Sequence, residues 1–471
     1  MLMKHASFWK QTVAVLLALV LSVGLLTPAL AVGSDTEATE DDTHGITFEK
    51  VDNDSVDFEL PIKNQAVTDE ETPQYADTDT VRVSIVLKDA STLEKGFTSE
   101  DISNANRSAV KYRQKLESEQ QKLARVISKK ALGGEPLDVV WNLTLAANII
   151  SANVEYGQIE QIEQIAGVEE VLIETQYEAC VVDQTEATDP NMSTSSKMIG
   201  STAAWAAGYT GAGSKIAIVD TGADVDHPSL DPYAYTYAVK DSGITPMDVS
   251  DIAAKLEQLN VYKRAVEANK TLSASDLYVN AKIPFGYNYA DDDLDITHDN
   301  DTEGDHGSHV TGIAAGNRYV PNGDGTYVSA LDSADVLTQG VAPDAQVFTM
   351  KVFGKSGGAY DSDYMVAIED AIVLGADSVN LSLGSGSPGF SRNSNATFQS
   401  ILENIVKSGT VVTMSAGNSG SWFENTPYGY PYAESVSWAT NGSPGSYTNS
   451  LAVASVDNDG VTGFCSKNYL E

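Results

Sequence analysis

Lys215-Ile-Ala-Ile-Val-Asp-Thr-Gly222 is a short apolar run that ends in a carboxylate and a turn. An apolar run without polar alternation is what a strand buried on both faces requires, since each face meets a covering layer. Similar runs recur at Val347 to Val352, Ser378 to Leu383, Val411 to Ser415 and Ala452 to Val456. Helical patterns lie between several of them: His309 to Ala315, Asp363 to Leu374 and Thr397 to Lys407. Strands alternating with helices predict an α/β region built on a parallel sheet. From Asp231 to Lys282 a polar segment with a helical middle, Ser250 to Glu267, reads as an insertion on the surface.

Upstream the pattern changes. Val81, Val83, Ile85 and Leu87 alternate with Arg82, Ser84 and Lys88 in the two-residue period of a half-buried strand. A charged helix from Asn106 to Lys130 follows, then strands at Val139 to Leu145 and Ile149 to Val154, a helix at Gln158 to Ala166 and a strand at Val168 to Glu174. This order predicts a ferredoxin-like α+β module, a four-stranded sheet with two helices on one face. At the N-terminus, Lys4 and Lys10 precede an apolar run from Val13 to Leu26 and then Pro28-Ala-Leu-Ala31, the pattern of a secretory signal. That run is shorter than the roughly 20 residues that span a bilayer. The expected organisation is a signal peptide (1–31), a flexible acidic leader (32–79), the ferredoxin-like module (80–183) and the α/β region (190–471).

A net charge of -37 over 471 residues argues against nucleic-acid or anionic-membrane binding, which need basic surface. Cys180 and Cys465 are too few for a disulfide framework.

Reactive groups in a parallel sheet gather beyond the carboxyl ends of its strands, where Asp220 falls. An aspartate there also serves as a turn or helix cap. His306, within Gly304-Asp-His-Gly-Ser-His-Val-Thr-Gly312, opens a run of small residues that permits close helix packing. A carboxylate accepting from one imidazole nitrogen leaves the other to take a proton, so Asp220 and His306 suit a general-base pair. A metal site at Asp305, His306 and His309 is the competing reading, although no zinc-helix ligand follows. Asn418, in Ser415-Ala-Gly-Asn-Ser-Gly420, can donate its amide to an oxyanion or sit in an ordinary turn. Ser382, Leu383 and Gly384 end a strand whose edge can hold an extended peptide. Asp291, Asp292, Asp293, Asp295, Asp299, Asn300 and Asp301 crowd one loop, either as oxygen ligands for calcium or as a solvated acidic loop.

Taken in order, Asp220-Thr-Gly, His306-Gly-Ser-His, Gly340-Val-Ala-Pro, Ser382-Leu-Gly and Ser415-Ala-Gly-Asn resemble the subtilisin-like serine protease family from about Met198 to Asp459. The stretch Gly354 to Gly384 is especially similar to the cell-envelope proteinases of Gram-positive bacteria. The resemblance implies a subtilisin-like catalytic domain preceded by an inhibitory propeptide, in a protein that is secreted or wall-associated. By it Asp220 orients His306, His306 is the general base, Asn418 helps form an oxyanion hole, and Ser382, Leu383 and Gly384 line the substrate backbone. It implies no required cofactor, with calcium as a structural ion. The implied partners are a polypeptide substrate and the chain's own propeptide, with no nucleic acid and no membrane after signal cleavage. No Gly-Thr-Ser-Met-Ala-type segment occurs, and neither Ser437 nor Ser450 has a suitable setting. The nucleophilic serine is therefore expected beyond this chain, whose catalytic domain would be incomplete and inactive by itself. The second reading is a non-catalytic product that keeps a peptide-binding cleft.

Overall fold

The computed structural model describes residues 75–179, 192–333, 336–384, 396–417, 444, 445, 447 and 451–454. The expected signal peptide and nearly all of the expected acidic leader, together with both cysteines and Asn418, lie outside these residues.

Strands β1 (Thr80–Leu87), β2 (Asp138–Leu143), β3 (Ile149–Glu155) and β4 (Val168–Ile173) form an antiparallel sheet in the order β2-β3-β1-β4. Helices Arg107–Lys130 and Ile159–Glu163 fall where the sequence pattern puts them. Val81, Val83 and Ile85 of β1 pack with Leu123, Ile127 and Ile162 of those helices in one apolar cluster. The alternate residues of β1 do not face water. Ser84 is 0% exposed and donates to Glu174 at 2.8 Å, while Arg82 holds both oxygens of Asp363 at 3.0 and 3.1 Å. The strand read as half-buried is thus covered on both sides, its polar side chains meeting partners from elsewhere in the chain. A further extended segment, β5 (Gln176–Ala179), runs out of this module.

The α/β region contributes β6 (Lys215–Asp220), β7 (Phe285–Asn288), the hairpin β8 (Tyr319–Pro321) and β9 (Tyr327–Ser329), β10 (Gln346–Lys351), β11 (Ala359–Tyr360), β12 (Ser378–Leu381), β13 (Leu383–Gly384), β14 (Val411–Ser415) and β15 (Leu451–Val453). Its sheet is parallel, in the order β15-β14-β12-β6-β10-β7. β6 lies in the interior, between β12 and β10. Ala217 and Val219 point into a cluster shared with helix Asp361–Leu374, and Ile216 and Ile218 into one shared with Ala315 of helix His306–Ala315. That two-sided burial is the reason for the unbroken apolar run.

Three features depart from expectation. The run Ser378 to Leu383 is not one strand: it breaks at Ser382, and Leu383–Gly384 pair with β5 rather than with the sheet. β5 and β7 carried no clear sequence signal, being four residues each with little periodicity to read. The segment Asp231 to Lys282 is not a surface ornament, since Ile252, Leu259, Val261 and Leu277 are fully buried. Its helix Asn260–Glu267 reaches the N-terminal module, with Lys263 paired to Glu117 at 2.5 Å and Arg264 donating to the Val139 carbonyl at 2.6 Å.

Helix Asp361–Leu374 stands at the centre of these contacts, and all 14 of its residues are buried. It ends on Gly375, whose φ of 82° supplies the left-handed cap that a side chain would disfavour. Four buried carboxylates lie along it, and burial without hydrogen-bond donors would be prohibitive. Asp363 accepts from Arg82 and from Trp141 Nε1 at 3.1 Å. Glu369 accepts from the backbone N–H groups of Thr144, Leu145 and Ala146 at 3.2, 2.8 and 2.9 Å and from the Asn260 amide at 3.0 Å. Asp370 accepts from the N–H groups of Asn260 and Val261 and from the Tyr289 hydroxyl. The same side chains that make this helix unusual in composition therefore bind the module and the insertion to the parallel sheet.

Glu369→Leu leaves three backbone donors and one amide buried without their acceptor, and is expected to cost about 3 kcal/mol or more. The urea unfolding midpoint reads this loss; an unchanged midpoint would show that Glu369 does not hold the module.

Candidate active site

Asp220 is the last residue of β6 and is 0% exposed, with its Cα in register with Lys351 of the adjacent β10. Its Oδ1 accepts from the Thr221 N–H at 2.7 Å and from His306 Nδ1 at 2.7 Å. A carboxylate can only accept, so the imidazole proton of this pair sits on Nδ1 and the neutral ring keeps its lone pair on Nε2. The His306 side chain is 12% exposed, at the first position of helix His306–Ala315.

One glycine lets the aspartate turn and the helix meet, and a second lets the turn lie against Ile296. A Cβ on Gly307 would lie 2.2 Å from the Gly222 carbonyl oxygen, and one on Gly222 would lie 2.3 Å from the Ile296 oxygen. Gly222 also has φ +106°, open to glycine at little cost. Hydrogen bonds then lock the contact. Thr221 Oγ1 accepts from Gly307 N at 2.8 Å and donates to the Gly304 carbonyl at 3.1 Å. Ser308 Oγ accepts from Asp224 N at 2.7 Å, so the hydroxyl at this position is used to fasten the two segments. From below, the Lys351 ammonium donates to the Thr221 carbonyl at 2.7 Å and pairs with Asp301 at 2.5 Å, both charges almost fully buried.

The structure therefore brings Asp220 and His306 together, and leaves the His309 side chain exposed one turn further along the helix. Among the described residues no group of three or more His, Cys, Asp or Glu side chains is arranged to hold a metal ion. Several carboxylates of the acidic loop are already engaged: Asp291 accepts from Asn288, Asp292 from Tyr287 and Lys270, and Asp295 from Thr297. Ser382 is half-buried beside the buried Leu383 and Gly384. Their edge is already filled, since Leu383 pairs with Ala179 and Gly384 with Glu178 of β5 in antiparallel register. On its other side β5 pairs with β11, making a three-stranded sheet β11-β5-β13. Sequence reasoning found the Ser382–Gly384 edge and missed Ala359–Tyr360, whose two residues carry no strand pattern. It also passed over Lys351, although a lysine closing an apolar strand beside one that closes with aspartate was a visible signal.

The profile of the subtilase family, peptidase S8, matches residues 211–470. The PI-type proteinase of Lactococcus lactis subsp. cremoris is 31% identical over 328 residues, covering 67% of this chain and 14% of that protein. The minor extracellular protease Vpr of Bacillus subtilis (strain 168) is 28% identical over 249 residues, covering 51% of this chain and 22% of that one. The chain thus spans less than a quarter of the length of either relative. A solved structure, the epidermin leader peptide processing serine protease from Staphylococcus aureus, aligns with a TM-score of 0.44 at 16% identity, over 81% of this chain and 70% of that one.

Gly307→Ala is expected to push the helix off the aspartate turn and abolish the Asp220–His306 bond, read as loss of the low-field Nδ1 proton resonance. Gly312→Ala adds a Cβ with nothing within 4 Å and should keep that resonance. Its helix gains up to about 1 kcal/mol.

Proposed function

We propose, since this chain belongs to the subtilase family, that it carries the acid–base half of a serine endopeptidase exported as a precursor. The observation that carries this reading is the 2.7 Å bond from His306 Nδ1 to a fully buried Asp220 at the end of a parallel strand. Asp220 holds the ring in one tautomer and stabilises the imidazolium. Nε2 then takes the proton of a serine hydroxyl as that oxygen attacks the peptide carbonyl, and returns it to the leaving amine. Asn418, which follows β14, is assigned with a backbone N–H to the developing oxyanion. The substrate backbone lies along Ser382, Leu383 and Gly384 as an added strand, the position that β5 takes in this structure. The nucleophile is assigned to a serine outside these 471 residues, because they contain no Gly-Thr-Ser-Met-Ala segment.

In this reading the module 80–183 is an intramolecular inhibitor. It blocks the groove with β5 and is anchored through the carboxylates of helix Asp361–Leu374. Export rests on the signal pattern of residues 1–31. None of the described helices is long and apolar enough to cross a membrane.

A fluorophosphonate probe tests the assignment of the nucleophile. The 471-residue chain should remain unlabelled and cleave no casein, whereas one labelled serine within it would place the nucleophile inside this sequence.

The docking of the module is also expected to depend on pH. Burial pushes Asp361, Asp363 and Asp370 up to about 7 from an ordinary 3.8. Between those values the docked state keeps protons that the separated or unfolded chain releases. Stability therefore rises as pH falls through 7 and declines as pH climbs back toward it. Calorimetric melts should show a higher Tm near pH ~5.5 than near pH ~8, with a shallower slope in Asp363→Asn. A Tm that rises with pH, or an unaltered slope in the variant, contradicts the assignment.

A further inference from the structure

His306 is delivered by the segment 289–305, which leaves β7 and lies against the turn after Asp220. Two bonds join segment and turn directly: the Ile296 carbonyl accepts from the Ala223 N–H at 2.9 Å, and the Gly304 carbonyl from the Thr221 hydroxyl at 3.1 Å. The other moorings go to the end of β10 and the loop beyond it. The Tyr289 N–H donates to the Lys351 carbonyl at 2.7 Å, and Thr302 donates to the Lys355 carbonyl from its N–H at 3.3 Å and its hydroxyl at 3.2 Å. Asp301 turns inward from this segment, and its side chain is only 4% exposed.

One ammonium joins these pieces. Lys351 closes β10 in register with Asp220 of β6, and both side chains lie on the face of the sheet where Val347 and Ile218 pack. Its Nζ donates to the Thr221 carbonyl at 2.7 Å and to Asp301 Oδ2 at 2.5 Å. The turn that carries Asp220 and the segment that carries His306 are thus tied through a single buried atom.

Charge matters here as much as reach. Asp220 Oδ1 takes the Thr221 N–H and His306 Nδ1, and among the described residues Oδ2 accepts from none. The carboxylate therefore keeps its negative charge for the imidazolium. An uncompensated ammonium at the neighbouring register position would oppose that imidazolium, because like charges repel strongly where water is excluded. Asp301 cancels the ammonium and leaves its bond to Thr221 in place. The other charged groups beside the pair in sequence, Asp224 after the turn and Asp305 before the histidine, are exposed and act through water.

We propose that Lys351 and Asp301 form a charge-neutral brace that positions the Asp220–His306 pair, Lys351 by holding the turn and Asp301 by holding the histidine segment and cancelling the lysine charge. Both are positioning residues, since neither touches the reacting atoms. The kinetic consequence rests on the endopeptidase reading above. An ion pair that serves stability alone would leave both the titration of His306 and the turnover of the folded enzyme unchanged.

Two variants separate charge from geometry. Asp301→Asn keeps an acceptor for the ammonium and removes its countercharge, whereas Lys351→Met combined with Asp301→Asn removes both charges and the bond to Thr221. In an NMR titration of the 471-residue chain, the His306 midpoint should fall by roughly one pH unit in Asp301→Asn. It should return close to the parent value in the double variant. In the protease as its own cells produce it, the acid limb of kcat/KM should follow the same midpoints, and the double variant should lose roughly 10- to 100-fold in kcat with KM unchanged. A midpoint that stays in place in Asp301→Asn, or full kcat in the double variant, overturns the brace and leaves the endopeptidase reading intact. If the double variant fails to fold, the midpoint of Asp301→Asn decides alone. Cleavage of no peptide by the parent protease removes the endopeptidase reading, and the His306 midpoints in the 471-residue chain still decide the brace.

Discussion

The chemistry of this chain depends on a contact that has no room for a side chain. Gly307 lets the first turn of helix His306–Ala315 touch the turn after β6 backbone to backbone, and at that separation the imidazole reaches Asp220. Thr221, Ser308 and Lys351 then fasten the turn from three directions. An acid and a base 86 residues apart in sequence are thereby held as one rigid unit. The Lys351–Asp301 pair is costly to bury, yet its ammonium also satisfies the Thr221 carbonyl, so it serves geometry at the strand end more than net stability.

A second constraint is electrostatic. Helix Asp361–Leu374 carries four buried carboxylates, and the N-terminal module and the segment Asp231 to Lys282 supply most of their donors. Hydrogen bonds to carboxylates can be exchanged for water when surfaces part, whereas apolar contacts cannot. An interface that mixes the Arg82–Asp363 and Glu369 contacts with Trp141 and Leu143 is therefore suited to holding firmly and also to opening. That fits a module whose departure is part of the proposed maturation.

The groove follows the same logic at smaller scale. Two short edges, Ala359–Tyr360 and Leu383–Gly384, offer backbone donors and acceptors that among the described strands only β5 uses. Strand addition satisfies such edges whatever the sequence of the added chain, because it uses backbone groups alone. Between those edges the Tyr177 side chain of β5 is buried against Asp361 and Tyr364.

Much of this was legible in local pattern. The two-sided burial of β6, the strand-helix order of the module, and the placement of Asp220 and His306 all follow from residue types a few positions apart. The rest was not, because periodicity records which residues avoid water and says nothing of what a polar residue meets instead. Arg82 and Ser84 read as a solvated strand face until Asp363, 281 residues beyond Arg82, and Glu174 come to lie against them. The apparent strand Ser378 to Leu383 breaks because Leu383 finds β5 rather than its own sheet, and the polar segment after Asp231 becomes a buttress because its apolar side faces the module and helix Asp361–Leu374. The sequence by itself determined which elements form and which residue types stand ready at their ends. The tertiary structure alone decided which of those ends meet, since a hydrogen bond between distant segments leaves no trace in the local spacing of either.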